Sequence, residues 1–190
     1  MNNFYIFENV FGEHIQKKLL EEVSTFSNFP WFFSENVQNQ AKTDTNLTSG
    51  FRHCLWSDGN ATSAWSNTFL PIIWKIEELT ERKVTKIINM HVNLGINMGK
   101  KFNGMVHNDG FLNQETENEK RYTGIYYLEN SDGDTVLYDD DKTAVETITP
   151  EADKLILFSS FINHTGALPT ISSYRRVVNL NILLEHNDSK

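Results

Sequence analysis

Between Lys83 and His186 the chain is a succession of short apolar runs broken by turn residues, and that pattern leaves few folds open. "KVTKIINMHVNLGINM" and "RYTGIYYLEN" are rich in β-branched and aromatic residues and alternate in places, and "TVLY", "KTAVETITP", "DKLILFSS" and "RRVVNLNILLEH" continue the series. Runs of this kind read as strands. The "SDGD" at 131–134 reads as a tight turn with a strand on each side. Ahead of this region lie two helical patterns. From Glu13 to Val23, Ile15, Leu19, Leu20 and Val23 recur at helical spacing, opposite Lys17, Lys18, Glu21 and Glu22. From about Ser63 to Thr80, Trp65, Phe69, Ile72, Ile76 and Leu79 form one stripe, with a kink or restart expected at Pro71. Helices first and many short strands after them imply an α+β, mainly β, domain whose helices cover one face of an antiparallel sheet or barrel.

At 190 residues the chain suits a single domain over 1–190, with a strand and supporting helices in 1–82 and the β core in 83–186. Its net charge of −8 and the lack of any basic run argue against nucleic acid and anionic membrane surfaces as partners. One cysteine, Cys54, precludes an internal disulfide and fits a reducing compartment. With no secretory signal pattern and no long apolar span, a cytoplasmic location is expected. The polar stretches 38–50 and 110–121 read as flaps.

The chemistry-bearing residues cluster in the β half. "GMVHNDGFLN" holds His107 and Asp109 one residue apart, a triplet that a random chain with six His and ten Asp contains about one time in three. In a strand, residues i and i+2 share a face, so imidazole and carboxylate can aim at one point while Asn108 turns away. His164, where "LFSSFINHTG" ends another strand signal, can supply a third ligand. Two imidazoles and a carboxylate suit Fe(II) with open positions, and also suit zinc. Eleven residues beyond His164 come Arg175 and Arg176. A guanidinium inside a barrel calls for a carboxylate, which a small dicarboxylate such as 2-oxoglutarate can provide. With Arg175 inward, Val177, Asn179 and Asn181 share its face, while Arg176 joins Val178, Leu180, Ile182 and Leu184 toward the helices. Parity therefore favours Arg175 over Arg176. His14, His53, His91 and His186 read as surface or internally satisfied histidines, "YDDDK" as a solvated turn, and Cys54 as buried and inert. The four tryptophans read as core or rim, Trp31 at the pocket border.

The ordered set of H-x-D, "IYYLEN", "SDGDTVLY", "TPEADKLILFSSFINHTG" and a following arginine resembles the Fe(II)/2-oxoglutarate-dependent dioxygenases, and within them the prolyl 4-hydroxylase-like branch. The similarity spans roughly residues 85 to 185. It implies a double-stranded β-helix (a jelly-roll, cupin-like barrel) with the N-terminal helices on its major sheet. It also implies His107, Asp109 and His164 as iron ligands and catalytic centre, and Arg175 or Arg176 with Tyr127 as the 2-oxoglutarate clamp. Thr135 matches the turn threonine of the family. Asn97 stands where many relatives have a tyrosine, which makes it a co-substrate or substrate contact, with Asn93 a second polar candidate. The implied cofactors are Fe(II) and 2-oxoglutarate, with ascorbate as an auxiliary reductant, and O2 as the other co-substrate. Retention of Asp109 favours hydroxylation over halogenation. The implied reaction is hydroxylation of a C–H bond in a peptidyl-prolyl, amino-acid or other small substrate, releasing succinate and CO2. A non-catalytic cupin-like binding module and a zinc-dependent hydrolase are the alternatives.

Overall fold

A computed structural model of the chain describes residues 4–24, 28–34, 50–100, 104–110 and 119–185. Its elements in chain order are β1 (Phe4–Phe7), α1 (Glu13–Glu22), β2 (Phe32–Ser34), β3 (Gly50–Ser57), β4 (Asn60–Ala61), α2 (Ser66–Thr80), β5 (Val84–Ile96), β6 (Glu119–Tyr127), β7 (Thr135–Tyr138), β8 (Ala144–Ile148), β9 (Lys154–Ser159), β10 (Asn163–Gly166) and β11 (Tyr174–Glu185). The strands form a large antiparallel sheet in the order β1-β9-β6-β11-β5-β3-β2, with β4 paired to β3, and a small sheet β10-β7-β8. The two sheets make the jelly roll that the family resemblance implied, within the antiparallel β domain that the run of short strands implied. The expected flap residues 38–49 and 111–118, and His186, lie outside the described residues.

One local expectation fails in an informative way. The segments on either side of "SDGD" do not pair with each other. β6 pairs with β11 and β9, whereas β7 pairs with β10 and β8. The turn carries the chain from one sheet to the other, and a sequence read locally cannot tell a sheet-to-sheet crossing from a hairpin. The N-terminal third also does more than cover the barrel. β1 extends the large sheet against β9, and β3 extends it against β5.

Alternation along β5 and β11 separates two environments. Met90, Val92, Val178, Leu180, Ile182 and Leu184 are buried on one face, beneath Phe69, Ile72 and Ile76 of α2. Each such side chain contributes about 1.5–3 kcal/mol through apolar area removed from water. Helix α2 runs through Pro71 as one helix, so the restart that was one of two expectations does not occur. In α1 the expected stripe is narrower: Leu19 and Val23 are buried, but Ile15 is exposed and Gln16 is buried, its Nε2 donating to the Leu128 carbonyl. Asp153 fixes this helix to the sheet. Its carboxylate accepts from the Phe11 and Gly12 N–H groups and from the Tyr126 hydroxyl at 2.8 Å, which places an anion at the helix N-terminus. Gly12 sits at φ 83°, a backbone region open to glycine.

The opposite face of the large sheet looks into the barrel. At one end it is lined by Ile125, Tyr127, Ile156, Phe158 and Val177, which pack on Leu137 and Ile148 of the small sheet. This second core fills the space between the two sheets and reaches His164, whose ring packs edge-on against Phe158.

Candidate metal centre

His107 and His164 sit opposite each other across a single bridge, His107 N–H donating to the His164 carbonyl at 3.0 Å and the reverse bond measuring 2.7 Å. Their ring centroids lie 4.4 Å apart. Asp109 follows His107 in extended chain and anchors its own N–H on the Ser160 carbonyl at 2.9 Å. The three side chains present one ligand atom each, all within 4.8 Å of one another. Asp109 Oδ1 is 4.0 Å from His107 Nε2, and its Oδ2 is 3.9 Å from His164 Nε2. Asn108 is exposed and bonded to Asn163, away from this point.

The imidazoles are oriented by the backbone. His107 Nδ1 lies 3.0 Å from the Met105 carbonyl, and His164 Nδ1 lies 3.1 Å from the Ile162 carbonyl. A carbonyl accepts only, so each Nδ1 carries a hydrogen and each Nε2 is the ring nitrogen that faces Asp109. Burial pulls the His164 pKa down to about 4, with His107 adding to the fall and Asp109 opposing it, so this imidazole is neutral at ordinary pH. Burial alone would raise the Asp109 pKa. His164, the Asn181 hydrogen bond, His107 and Thr123 outweigh it, and the carboxyl is held below its usual range. Asp109 Oδ2 accepts from Thr123 Oγ1 at 2.9 Å and from Asn181 Nδ2 at 3.0 Å. Two imidazoles and one carboxylate, each held from behind, fit a divalent first-row metal.

A second polar site lies where β11 meets the start of β7. Arg175 donates through Nε to the Gly133 carbonyl at 2.7 Å and through Nη2 to Thr135 Oγ1 at 2.9 Å, with its guanidinium over the Tyr127 ring. The Tyr127 hydroxyl also donates to Thr135 Oγ1, at 2.7 Å. The slot is narrow: a side chain at Gly133 would strike the Ala167 carbonyl at 2.5 Å and Arg175 Cδ at 2.8 Å. Among the described residues, no carboxylate lies within ion-pair distance of Arg175. Burial lowers its pKa, with Tyr127 and Asp134 opposing only in part. Arg176 is placed otherwise. Its Nη1 pairs with Glu129 Oε2 at 2.9 Å, its N–H donates to Oε1 of the same residue, and its guanidinium lies over Tyr174. Asn97 is committed to a turn, Nδ2 donating to the Ser172 carbonyl at 3.1 Å and Oδ1 accepting from Gly99 N–H at 2.7 Å. Neither Arg176 nor Asn97 reaches the Arg175 slot through these bonds.

Sequence reasoning passed over Thr123 as a supporting group and noted Asn181 only for its parity. The signal available for both was an inward position on a strand that flanks the Asp109 carboxylate. His53 is the satisfied core histidine expected, with Nδ1 at the Pro30 carbonyl and Nε2 at Ser63 Oγ. His91 is not: it faces the barrel interior and its Nδ1 is buried without a partner. Trp31 packs edge-on against Phe29 beside the helical core.

These groups fix a pH dependence of stability in the metal-free protein. His91 is held at about 3, mainly by burial, and His164 at about 4, against about 6.5 for an unfolded histidine. The unfolded chain therefore binds protons first as the pH drops below about 6.5, and stability falls. The loss reaches up to about 1.4 kcal/mol per pH unit for each histidine until its folded pKa is approached. Urea unfolding at pH 7, 6 and 5 should show this decline, and His164→Gln should flatten it by about half.

A jelly roll that gathers two imidazoles and a carboxylate at one point defines a non-haem metal enzyme, with a buried cation further along the same interior. Comparison with known proteins narrows the class. The family model described as the 2OG-Fe(II) oxygenase superfamily matches residues 90–183, a span that contains His107, Asp109, Tyr127, His164 and Arg175. The chain belongs to that superfamily, so it is an enzyme with Fe(II) as its metal and 2-oxoglutarate and O2 as co-substrates. Its fold is similar to that of a Trichoplax adhaerens prolyl hydroxylase solved with a hypoxia inducible factor peptide fragment (TM-score 0.68, 16% identity, covering 96% of this chain and 84% of that one). It is also similar to a Pseudomonas putida prolyl-4-hydroxylase (0.63, 13%, 98% and 95%) and to a Burkholderia pseudomallei oxidoreductase of the 2OG-Fe(II) oxygenase family (0.71, 11%, 95% and 85%). No curated protein matches the sequence significantly. Among the described residues, no helix is long and apolar enough to cross a membrane.

Proposed function

We propose that this oxygenase hydroxylates a C–H bond of an amino-acid, peptidyl or other small substrate, and that it holds 2-oxoglutarate between Arg175 and the His107–Asp109–His164 triad. The observation that carries this reading is Arg175, a largely buried cation with no carboxylate beside it, on the same interior as the triad. β10 and β7 set the scale. His164 is paired with Leu137, and Thr135, which touches Arg175, lies two residues farther along β7. That is about 7 Å along a strand, a span suited to a five-carbon diacid with one end at the metal and the other at the guanidinium.

In this reading His107, Asp109 and His164 would hold the iron, which supplies O2 activation and the oxidation of both substrates. The chain's own part is positional and electrostatic. Arg175, Thr135 and Tyr127 bind and orient the distal carboxylate of 2-oxoglutarate. Thr123 and Asn181 keep the Asp109 carboxylate turned inward, and the Met105 and Ile162 carbonyls hold each ring with its Nε2 toward the metal position. Ile125, Ile156 and Phe158 line the interior between the two sheets, where a dry environment strengthens the arginine–carboxylate attraction.

Aerobic incubation with Fe(II) and 2-oxoglutarate tests the reading. Succinate should form in an iron-dependent manner, and should not form when Zn(II) replaces iron. Tight zinc binding without any iron-dependent succinate would return the site to a hydrolytic or purely binding role.

A further inference from the structure

The two oxygens of the Asp109 carboxylate have different surroundings. Oδ2 accepts from Thr123 Oγ1 at 2.9 Å and from Asn181 Nδ2 at 3.0 Å. Among the described residues, none donates a hydrogen bond to Oδ1, which lies 4.0 Å from His107 Nε2. An ionised carboxylate offers about two acceptor positions on each oxygen, so the two donors fill those of Oδ2 and leave those of Oδ1 open.

The sense of these bonds is fixed. A carboxylate only accepts, so the Asn181 group that meets it is the NH2 and not the carbonyl. One Nδ2 hydrogen serves Asp109, and the other serves Thr123 Oγ1 at 3.1 Å. The lone hydroxyl hydrogen of Thr123 goes to Asp109, so in the 3.0 Å contact with Ser160 Oγ the serine is the donor. Every hydrogen of the cluster points at Oδ2, directly or through Thr123. The backbone holds the cluster in place. Asn181 of β11 is paired with Thr123 of β6, and Thr123 and Ser160 are buried. Ser160 donates its N–H to the Arg121 carbonyl and accepts the Asp109 N–H on its own carbonyl. Just past Asn181 the pairing of β11 with β5 shifts register, an irregularity of the kind that re-aims side chains beside active sites.

We propose that Asn181 and Thr123, with Ser160 behind them, are positioning residues that restrict Asp109 to ligation through Oδ1 alone. The proposal rests on the oxygenase reading of this site. A carboxylate can take a metal through one oxygen or through both, and the second mode occupies an additional coordination position. Ligation through one oxygen leaves room for a chelating co-substrate and O2. With either donor removed, an acceptor position opens on Oδ2, which then competes with 2-oxoglutarate while adding to the hold on iron itself.

The test reads binding by the full chain without oxygen, apart from turnover. Fe(II) is titrated calorimetrically into the metal-free protein, and 2-oxoglutarate or succinate into the Fe(II)-loaded protein. Succinate lacks the keto group that chelation requires, so it reports on the Arg175 slot. In Asn181→Leu and in Thr123→Val, Fe(II) affinity should stay within about threefold of wild type or rise, while 2-oxoglutarate affinity falls at least about tenfold, the scale of one hydrogen bond to a charged group. Succinate affinity should stay within about twofold. Thr123→Ser, which keeps the hydroxyl, should bind all three ligands as the wild type does. The two substitutions lie on different strands, so if one variant fails to fold the other decides. Iron affinity that falls in step with 2-oxoglutarate affinity, an unchanged 2-oxoglutarate affinity, an equal fall for succinate, a Thr123→Ser that behaves as Thr123→Val, or failure of both variants to fold would each overturn the proposal. Failure of the underlying oxygenase reading would show separately, as absence of 2-oxoglutarate binding and of iron-dependent succinate in the wild-type protein.

Discussion

Asp109→Ala is expected to lower Fe(II) affinity by about two to three orders of magnitude and to abolish iron-dependent succinate formation, while leaving the metal-free fold intact. The affinity loss follows from removing one partner of a close, partly buried charge arrangement, about 3–5 kcal/mol at roughly 1.4 kcal/mol per tenfold. The survival of the fold follows from what remains behind the carboxylate. Thr123 Oγ1 lies 3.0 Å from Ser160 Oγ, and Asn181 Nδ2 donates to Thr123 Oγ1 at 3.1 Å, so the groups that held Asp109 still have each other. Anoxic calorimetry with Fe(II), paired with urea unfolding of the metal-free variant, separates the two effects. A variant that binds iron as the wild type does would remove Asp109 from the ligand set, and one that fails to fold would make it a structural residue.

How far the sequence disclosed this site depends on what each residue answers to. His107 and Asp109 are near neighbours in the chain, and two-residue periodicity is a local property, so their common aim was legible. The choice between Arg175 and Arg176 followed from the same alternation on β11, whose helix-facing partners Val178, Leu180 and Ile182 are buried. Long-range complements were not legible. Nothing local says that Thr123 of β6 and Asn181 of β11 meet at one carboxylate oxygen, or that His164 bridges to His107. The "SDGD" turn misled for the same reason, since its residues fit a hairpin and a crossing between sheets equally well. His91 looked like any core histidine. Its open Nδ1 depends on Arg52, a residue of another strand. Asn97 also bonds within a turn, to Gly99 and Ser172, which its family position did not indicate.

The two arginines permit a sharp contrast, because adjacent residues of the same type are assigned opposite work. Arg175→Gln is expected to raise the KM for 2-oxoglutarate by about 10²–10³-fold, since truncating one partner of a desolvated charge pair costs about 3–5 kcal/mol. Its effect on stability should be small or favourable, because among the described residues no carboxylate lies within ion-pair distance of this buried cation. Arg176→Gln should do the reverse. It strands Glu129, whose pKa burial already raises and Arg176 restrains, and stability should fall by roughly 3 kcal/mol. The KM for 2-oxoglutarate of the folded fraction should stay within about twofold, because the Glu129 pair lies on the helix side of β11 and Arg175 makes its bonds to Gly133 and Thr135 independently. Steady-state succinate formation across a 2-oxoglutarate series, run beside urea unfolding of both variants, reads the two quantities at once. If the KM rises in Arg176→Gln and not in Arg175→Gln, the inward face of β11 has been misassigned, and Val177, Asn179 and Asn181 would have to be reassigned with it.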